Sequence, residues 1–246
     1  MSRPILIIED DKRLAEIRRV GHDRGHHESL RAIRLLEPVE VFLEPRILAV
    51  RDAVLAQVTG LQVRGIDGQA ATGLDFTVLR FNFRGVGRSQ GAYDRGEGEL
   101  SDAASALDWM QAYNPNAEQC WVAGFSFGAW IGMQLLMRRP EIDGFVSVAP
   151  PANHYDLSFL APCPASGVII YGTRDSVTTA QDMERVISRI RTQKNIKVDS
   201  ASIEGADHFF RGRDPGQDHL ADVEVHARTY LERRLAGPPR PPTSKR

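Results

Sequence analysis

The chain has 246 residues, 31 Lys and Arg against 32 Asp and Glu, a net charge of −1 and 42% hydrophobic residues. At roughly 150 residues per domain this allows one large or two small domains, long enough to bury a core without disulfide or metal staples. Balanced charge argues against a general nucleic-acid binder, the composition against wholesale disorder, and two lone cysteines, Cys120 and Cys163, against a disulfide framework. No apolar run approaches the ~18 residues of a membrane span, and Ile5 to Ile8 is too short for a signal peptide. The expectation is a soluble, cytoplasmic protein with neither a nucleic-acid nor a membrane partner.

In chain order, Arg3 to Glu9 reads as a buried strand and Lys12 to Val20 as a helix. His22 to His27 is charged and irregular, and Pro38 to Thr59 is ambiguous between strand and helix. A clearer alternation begins near Asp75. Phe76 to Phe83 is rich in β-branched and aromatic residues and ends at Arg84-Gly85; Glu97 to Ala112 carries Leu100, Ala104 and Leu107 at helical spacing. Cys120 to Gly124 is a short strand, and Ala129 to Met137 a helix stopped by Arg138-Arg139-Pro140. Gly144 to Ala149 and Gly167 to Tyr171 read as buried strands, Thr179 to Thr192 as a helix, Val198 to Ile203 as a last strand and Asp222 to Leu235 as a last helix. The proline-rich stretch from Pro150 to Pro164 is either a lid or a linker, and residues 237–246 read as a disordered tail. The alternation predicts an α/β fold, a mostly parallel sheet flanked by helices. By this reading residues 1–73 are an atypical N-terminal segment and residues 74–236 the core.

Gly124-Phe-Ser126-Phe-Gly128 has the G-x-S-x-G pattern between a predicted strand and a predicted helix. A nucleophile at the tip of so tight a turn needs strained backbone angles, and glycines two residues either side leave the room. The helix after it turns its positive end toward the site, and the Phe127 N–H would be the first donor to an oxyanion. A serine needs a base, and the base an acid to orient it. Asp175 follows the strand ending at Tyr171, and His208 follows the strand ending at Ile203, so both fall on loops at carboxyl ends of strands, where ligands bind in open α/β sheets. Asp207 and Asp143 compete for the acid role, and His154, His219 and His226 are other candidate bases. Trp130, Phe125, Phe127 and Phe159 fit either an apolar pocket or core packing.

Leu79 to Ser89 (Leu-Arg-Phe-Asn-Phe-Arg-Gly-Val-Gly-Arg-Ser), Gly124 to Gly128, Ala149-Pro-Pro151, Gly172-Thr-Arg-Asp175 and Gly205-Ala-Asp-His208 together resemble the α/β-hydrolase superfamily. The likeness is to its small bacterial esterase-like members related to dienelactone hydrolases, over roughly residues 73–236. The resemblance implies a Ser126, Asp175, His208 triad and hydrolysis of a small ester, thioester or amide without metal or organic cofactor. In that architecture Arg84 to Ser89 is a loop whose glycines serve turn geometry. Such hydrolases carry a further buried strand before Phe76 that ends in a His/Gly-rich loop and supplies a second oxyanion donor. The chain has no such motif there, which leaves a gap in mid-sheet between the strands at Phe76 and Cys120. Either residues 1–73 replace a lost N-terminus, or a divergent strand such as Ile5 to Ile8 fills the gap. Ile5 to Ile17, with Glu9-Asp10-Asp11 and the later Asp52, weakly resembles the first half of a response-regulator receiver domain. That likeness implies Mg²⁺ at the acidic cluster and phosphate on Asp52; Glu9-Asp10-Asp11 also reads simply as an acidic helix start.

Overall fold

Strands separated by helix-length crossovers pair in parallel, and each crossover lays its helix on a face of the sheet. The computed structural model, which describes residues 3–9, 76–86, 89–191 and 196–236, has this architecture. Among the described residues β1 (Arg3–Glu9), β2 (Phe76–Asn82), β3 (Trp121–Phe125), β4 (Gly144–Val148), β5 (Ser166–Gly172) and β6 (Val198–Ile203) form one sheet in the order β2-β1-β3-β4-β5-β6. Every pairing is parallel. The helices are α1 (Glu97–Tyr113), α2 (Phe127–Arg138), α3 (Ala180–Arg191) and α4 (Leu220–Leu235).

Both faces are covered, which is why the central strands read as unbroken apolar runs. β3 and β4 are buried at every position. Val122, Phe145 and Ile169 pack with Leu107 of α1, Ile131 and Leu135 of α2 and Ile187 of α3. Their strand neighbours Ala123, Val146, Val148 and Ile170 pack with Val223, Ala227 and Leu231 of α4. A residue period of two thus feeds two separate cores.

β1 lies between β2 and β3, in the gap that the sequence left open. Its register runs Ile5 beside Val78 on one side and Ile5 beside Trp121 on the other. Pro4 pairs with Thr77 of β2, whereas the β3 ladder starts only at Ile5. The proline therefore sits near the strand's start, flanked on one side only, where a missing N–H is tolerated. The predicted helix at Lys12 to Val20, the ambiguous stretch from Pro38 to Thr59, His22, His26, His27, Asp10, Asp11 and Asp52 lie outside the described residues, as does the tail at 237–246.

Most boundaries from Phe76 onward fall within one or two residues of the sequence reading, and the helix starts differ most, α4 beginning at Leu220 rather than Asp222. α2 starts at Phe127 rather than Ala129, because its first turn continues directly from Ser126, whose carbonyl accepts the Trp130 N–H at 3.2 Å. The stretch from Pro150 to Pro164 folds down onto the core through Leu157, Leu160 and Cys163, with a 3-10 turn at Ser158–Leu160. It leads from β4 to β5 packed on the core. Among the described residues no helix is long and apolar enough to cross a membrane.

Both cysteines are free and buried. Burial, with Asp143 nearby as the second cause, pushes the Cys120 thiol up to about 12, and burial also raises that of Cys163. The reactive thiolate of Cys120 is then on the order of one part in ten thousand at about pH 8. Iodoacetamide should leave Cys120 of the folded protein unmodified under those conditions and alkylate it after denaturation; mass spectrometry showing rapid native modification would contradict its burial. A second expectation concerns β1. Deleting residues 1–9 removes a strand with a neighbour on each side and should abolish the cooperative thermal transition, whereas an unchanged melt would show that β1 does not hold the sheet together.

Candidate active site

A sharp turn from β3 into α2 puts one residue under strain, and that residue is Ser126, with φ 51° and ψ −118°. Its N–H donates to the Val148 carbonyl at 2.9 Å, which ties the turn to the end of β4. A Cβ at Gly124 would lie 2.5 Å from the Gly128 carbonyl oxygen and 2.7 Å from the Ala129 nitrogen. Those are main-chain atoms of the helix just begun, so only glycine lets the chain fold back this tightly. Phe127 is the first residue of α2, where the leading N–H groups of a helix have no intrahelical acceptor and its dipole is positive.

The loops after β5 and β6 bring the other two residues in. The Thr173 N–H donates to the Ile203 carbonyl at 3.0 Å, the Arg174 N–H to the Ala206 carbonyl at 2.9 Å, and the Gly205 N–H to Thr173 Oγ1 at 2.9 Å. Gly172 sits where this lacing is tightest: a Cβ there would stand 2.3 Å from the Ala206 oxygen. Asp175 Oδ1 accepts the N–H groups of Val177 at 2.7 Å and Thr178 at 3.0 Å, and its Oδ2 lies 2.8 Å from His208 Nδ1. His208 Nε2 lies 2.9 Å from Ser126 Oγ. One tautomer satisfies both contacts: Nδ1–H donates to Asp175 and Nε2 accepts from the Ser126 hydroxyl. All three residues are buried, with relative exposures of 2%, 5% and 2% for Ser126, Asp175 and His208.

The competing candidates are occupied elsewhere. Asp207 Oδ1 accepts the N–H groups of Phe209 and Arg211, each at 2.8 Å, and so shapes the loop that carries His208. Asp143 accepts the Cys120 N–H at 2.9 Å, at the start of β3 and away from the nucleophile. His219 Nδ1 faces Asp222 at 3.0 Å, and His154 and His226 are exposed. Of the four aromatic residues, Phe125 and Phe127 are core side chains, while Trp130 and Phe159 are partly buried against it. Among the described residues no group of three or more His, Cys, Asp or Glu side chains is gathered to hold a metal ion.

The second oxyanion donor is expected after the strand that lies between β2 and β3. That strand is β1, and the residues after it, from Asp10 to Asp75, lie outside the described ones. The loop after β2 behaves as a turn: Gly85 has φ 70°, and its N–H donates to the Gln90 carbonyl at 2.9 Å.

Sequence reasoning missed two buried acids at the start of α1. Glu99 takes the N–H groups of Asp94 and Gly96, both at 2.8 Å. Asp102 takes the Arg84 N–H and guanidinium at 2.7 to 3.0 Å, and that hydrogen bond holds the Arg84 guanidinium above its ordinary pKa. The available signal was a glutamate three residues after Gly96 at a helix start, half of a capping box.

Residues 60–165 match the alpha/beta hydrolase fold family. The chain is 38% identical to the crystal structure of a candidate alpha/beta hydrolase of unknown function from Agrobacterium tumefaciens, over 98% of this chain and 89% of that one, with a TM-score of 0.72. It is 29% identical to an alpha-beta serine hydrolase homologue from Coxiella burnetii, over 72% and 79% of the two chains with a TM-score of 0.59. A serine hydrolase without lid from Xanthomonas campestris is 28% identical over 74% and 78%, with a TM-score of 0.61. An uncharacterised protein of Rickettsia prowazekii is 56% identical over 140 residues, 55% of this chain; the matched region spans 59% of the length of that curated relative. The comparisons lend no support to the receiver-domain resemblance.

The lacing at Gly172 gives a testable consequence. Gly172→Ala inserts a methyl group between the two loops, an overpacking that should cost about 1–3 kcal/mol of stability. It should also slow labelling of Ser126 by a fluorophosphonate at least about tenfold, because a misplacement near 1 Å in such a site costs on that order or more. Wild-type labelling rates in the folded variant would show that the two loops are positioned independently.

Proposed function

The chain belongs to the alpha/beta-hydrolase family, and from that premise we propose that it is a serine hydrolase cleaving a carboxylic ester or related acyl bond through an acyl-enzyme on Ser126. The observation that carries this reading is the unbroken chain of contacts from Ser126 Oγ to His208 Nε2 at 2.9 Å and from His208 Nδ1 to Asp175 Oδ2 at 2.8 Å.

In this mechanism Ser126 Oγ attacks the acyl carbon while His208 Nε2 takes the hydroxyl proton. Asp175 holds the imidazole in the required tautomer and stabilises its cation; its other oxygen is already fixed by Val177 and Thr178. The negative charge that grows on the acyl oxygen meets the Phe127 N–H at the positive end of α2. Collapse of the tetrahedral intermediate breaks the acyl–oxygen bond, and the leaving alcohol takes the proton from His208. Water then repeats the sequence against the acyl-enzyme, with His208 as base, releasing the acid and restoring Ser126. The substrate class is a small acyl compound, and the steps need no cofactor.

A fluorophosphonate should label the native protein at Ser126 and fail to label Ser126→Ala. Ser126→Ala and His208→Ala should each lower ester turnover by about 10⁴-fold or more, and Asp175→Asn by about 10²–10⁴-fold, in proteins that still melt cooperatively. A cooperatively folded wild-type protein that takes no label would instead mark a non-catalytic scaffold.

A further inference from the structure

Tyr93 is 41% exposed, yet the segment that carries it is fastened by groups that are themselves out of water. Glu99, 1% exposed, accepts the N–H groups of Asp94 and Gly96, one and three residues after Tyr93. A buried carboxylate without such partners would be strongly unfavourable, so the two bonds fix the segment as firmly as they satisfy the charge. Gly96 lies so close to the Trp130 ring that a Cβ would come within 2.5 Å of two of its carbons. The Tyr93 ring itself stands 6.1 Å from that of Phe127, at an interplanar angle of 63°.

This places Tyr93 against the ring of the residue that follows the nucleophile, and through it on a group of rings. Phe127 follows Ser126 directly, the Trp130 main-chain N–H donates to the Ser126 carbonyl in the first turn of α2, and the Trp130 ring stacks on Tyr155 with centroids 4.0 Å apart and planes at 22°. Phe127 meets Trp130 at 5.5 Å and Tyr155 at 5.8 Å. Four rings are therefore continuous from the interior to an exposed edge at Tyr93. Rings arranged edge-to-face and offset-stacked favour another planar ring over an alkyl chain of equal area, because the quadrupole contribution depends on ring geometry. The ordering cost is met before any ligand arrives, which is what a preorganised subsite requires.

We propose that Tyr93, held in place by Glu99, is a specificity-determining residue forming the outer wall of an aryl subsite beside Ser126, so that the preferred substrates are esters bearing an aromatic ring. The proposal rests on the serine-hydrolase reading above and goes beyond it in naming the substrate class. Glu99 acts only through the segment it holds and is a positioning residue.

The test measures kcat/KM on two matched pairs: benzyl acetate against hexyl acetate for the alcohol side, and ethyl phenylacetate against ethyl hexanoate for the acyl side. Within each pair the reacting groups are alike, so the ratio reads recognition. The wild type should favour the aryl member of at least one pair. Tyr93→Leu should reduce that ratio about tenfold, chiefly through KM, and Tyr93→Phe should retain it. Glu99→Gln, which replaces one acceptor oxygen by an NH₂, should lower the same ratio in a protein that still melts cooperatively. Equal ratios in the wild type and Tyr93→Leu, or a wild-type preference for the alkyl member of both pairs, would overturn the proposal. Fluorophosphonate labelling of the same samples separates the two readings. Label on Ser126 with an unchanged ratio overturns the aryl subsite alone, whereas an unlabelled, folded wild type overturns the hydrolase reading and the subsite with it.

Discussion

A carboxylate removed from water must find hydrogen-bond donors for its oxygens, and Asp175 finds two in its own turn and a third on the loop after β6. The N–H groups of Val177 and Thr178 fix one oxygen and His208 Nδ1 meets the other. Thr178 is anchored in turn, its hydroxyl donating to the Pro150 carbonyl at 3.1 Å. The position of this carboxylate determines which way the imidazole turns and so which of its nitrogens faces Ser126. The rest of the site is arranged so that this contact forms. The loops after β5 and β6 are stitched main chain to main chain, and Gly172 leaves the space in which they meet.

The parallel sheet explains why three residues far apart in sequence converge. Each parallel strand delivers its following loop to the same edge, so Ser126 after β3, Asp175 after β5 and His208 after β6 arise at one rim. The strain at Ser126 is maintained because β3 is buried at all five positions and its turn is bonded to β4. β1 completes the row between β2 and β3; without it the two strands would be separated by an unfilled position in the ladder.

Part of this is legible in the sequence, for physical reasons. Strands covered on both faces lose the polar alternation and stand out as short apolar runs, which is why Trp121–Phe125, Gly144–Val148 and Ser166–Gly172 can be placed within a residue or two. The tight turn at Ser126 needs glycines and shows them, and Asp175 and His208 sit where turn residues follow buried strands. The order of the strands is not legible, because parallel partners are chosen by three-dimensional packing rather than by neighbouring residues. Ile5 to Ile8 can be read as a strand and as one of two ways to fill the gap between β2 and β3, but only the sheet order places it there. Glu99 and Asp102 escape notice because an acid in the first turns of a helix normally reads as a solvated charge favourable to the dipole; only the packed loop shows that both are buried. The segment from Asp10 to Asp75 has weak periodicity, and the readings made there fall outside the described residues.

The tautomer of His208 tests the central interaction most directly. Nitrogen NMR on protein carrying ¹⁵N-labelled histidine, assigned by comparison with His208→Ala, reports which ring nitrogen of the neutral imidazole bears hydrogen. Hydrogen is expected on Nδ1, directed at Asp175, with Nε2 free to accept from Ser126, and Asp175→Ala should lose that preference. Hydrogen on Nε2 in the wild type would contradict it, because His208 could not then take the proton of Ser126.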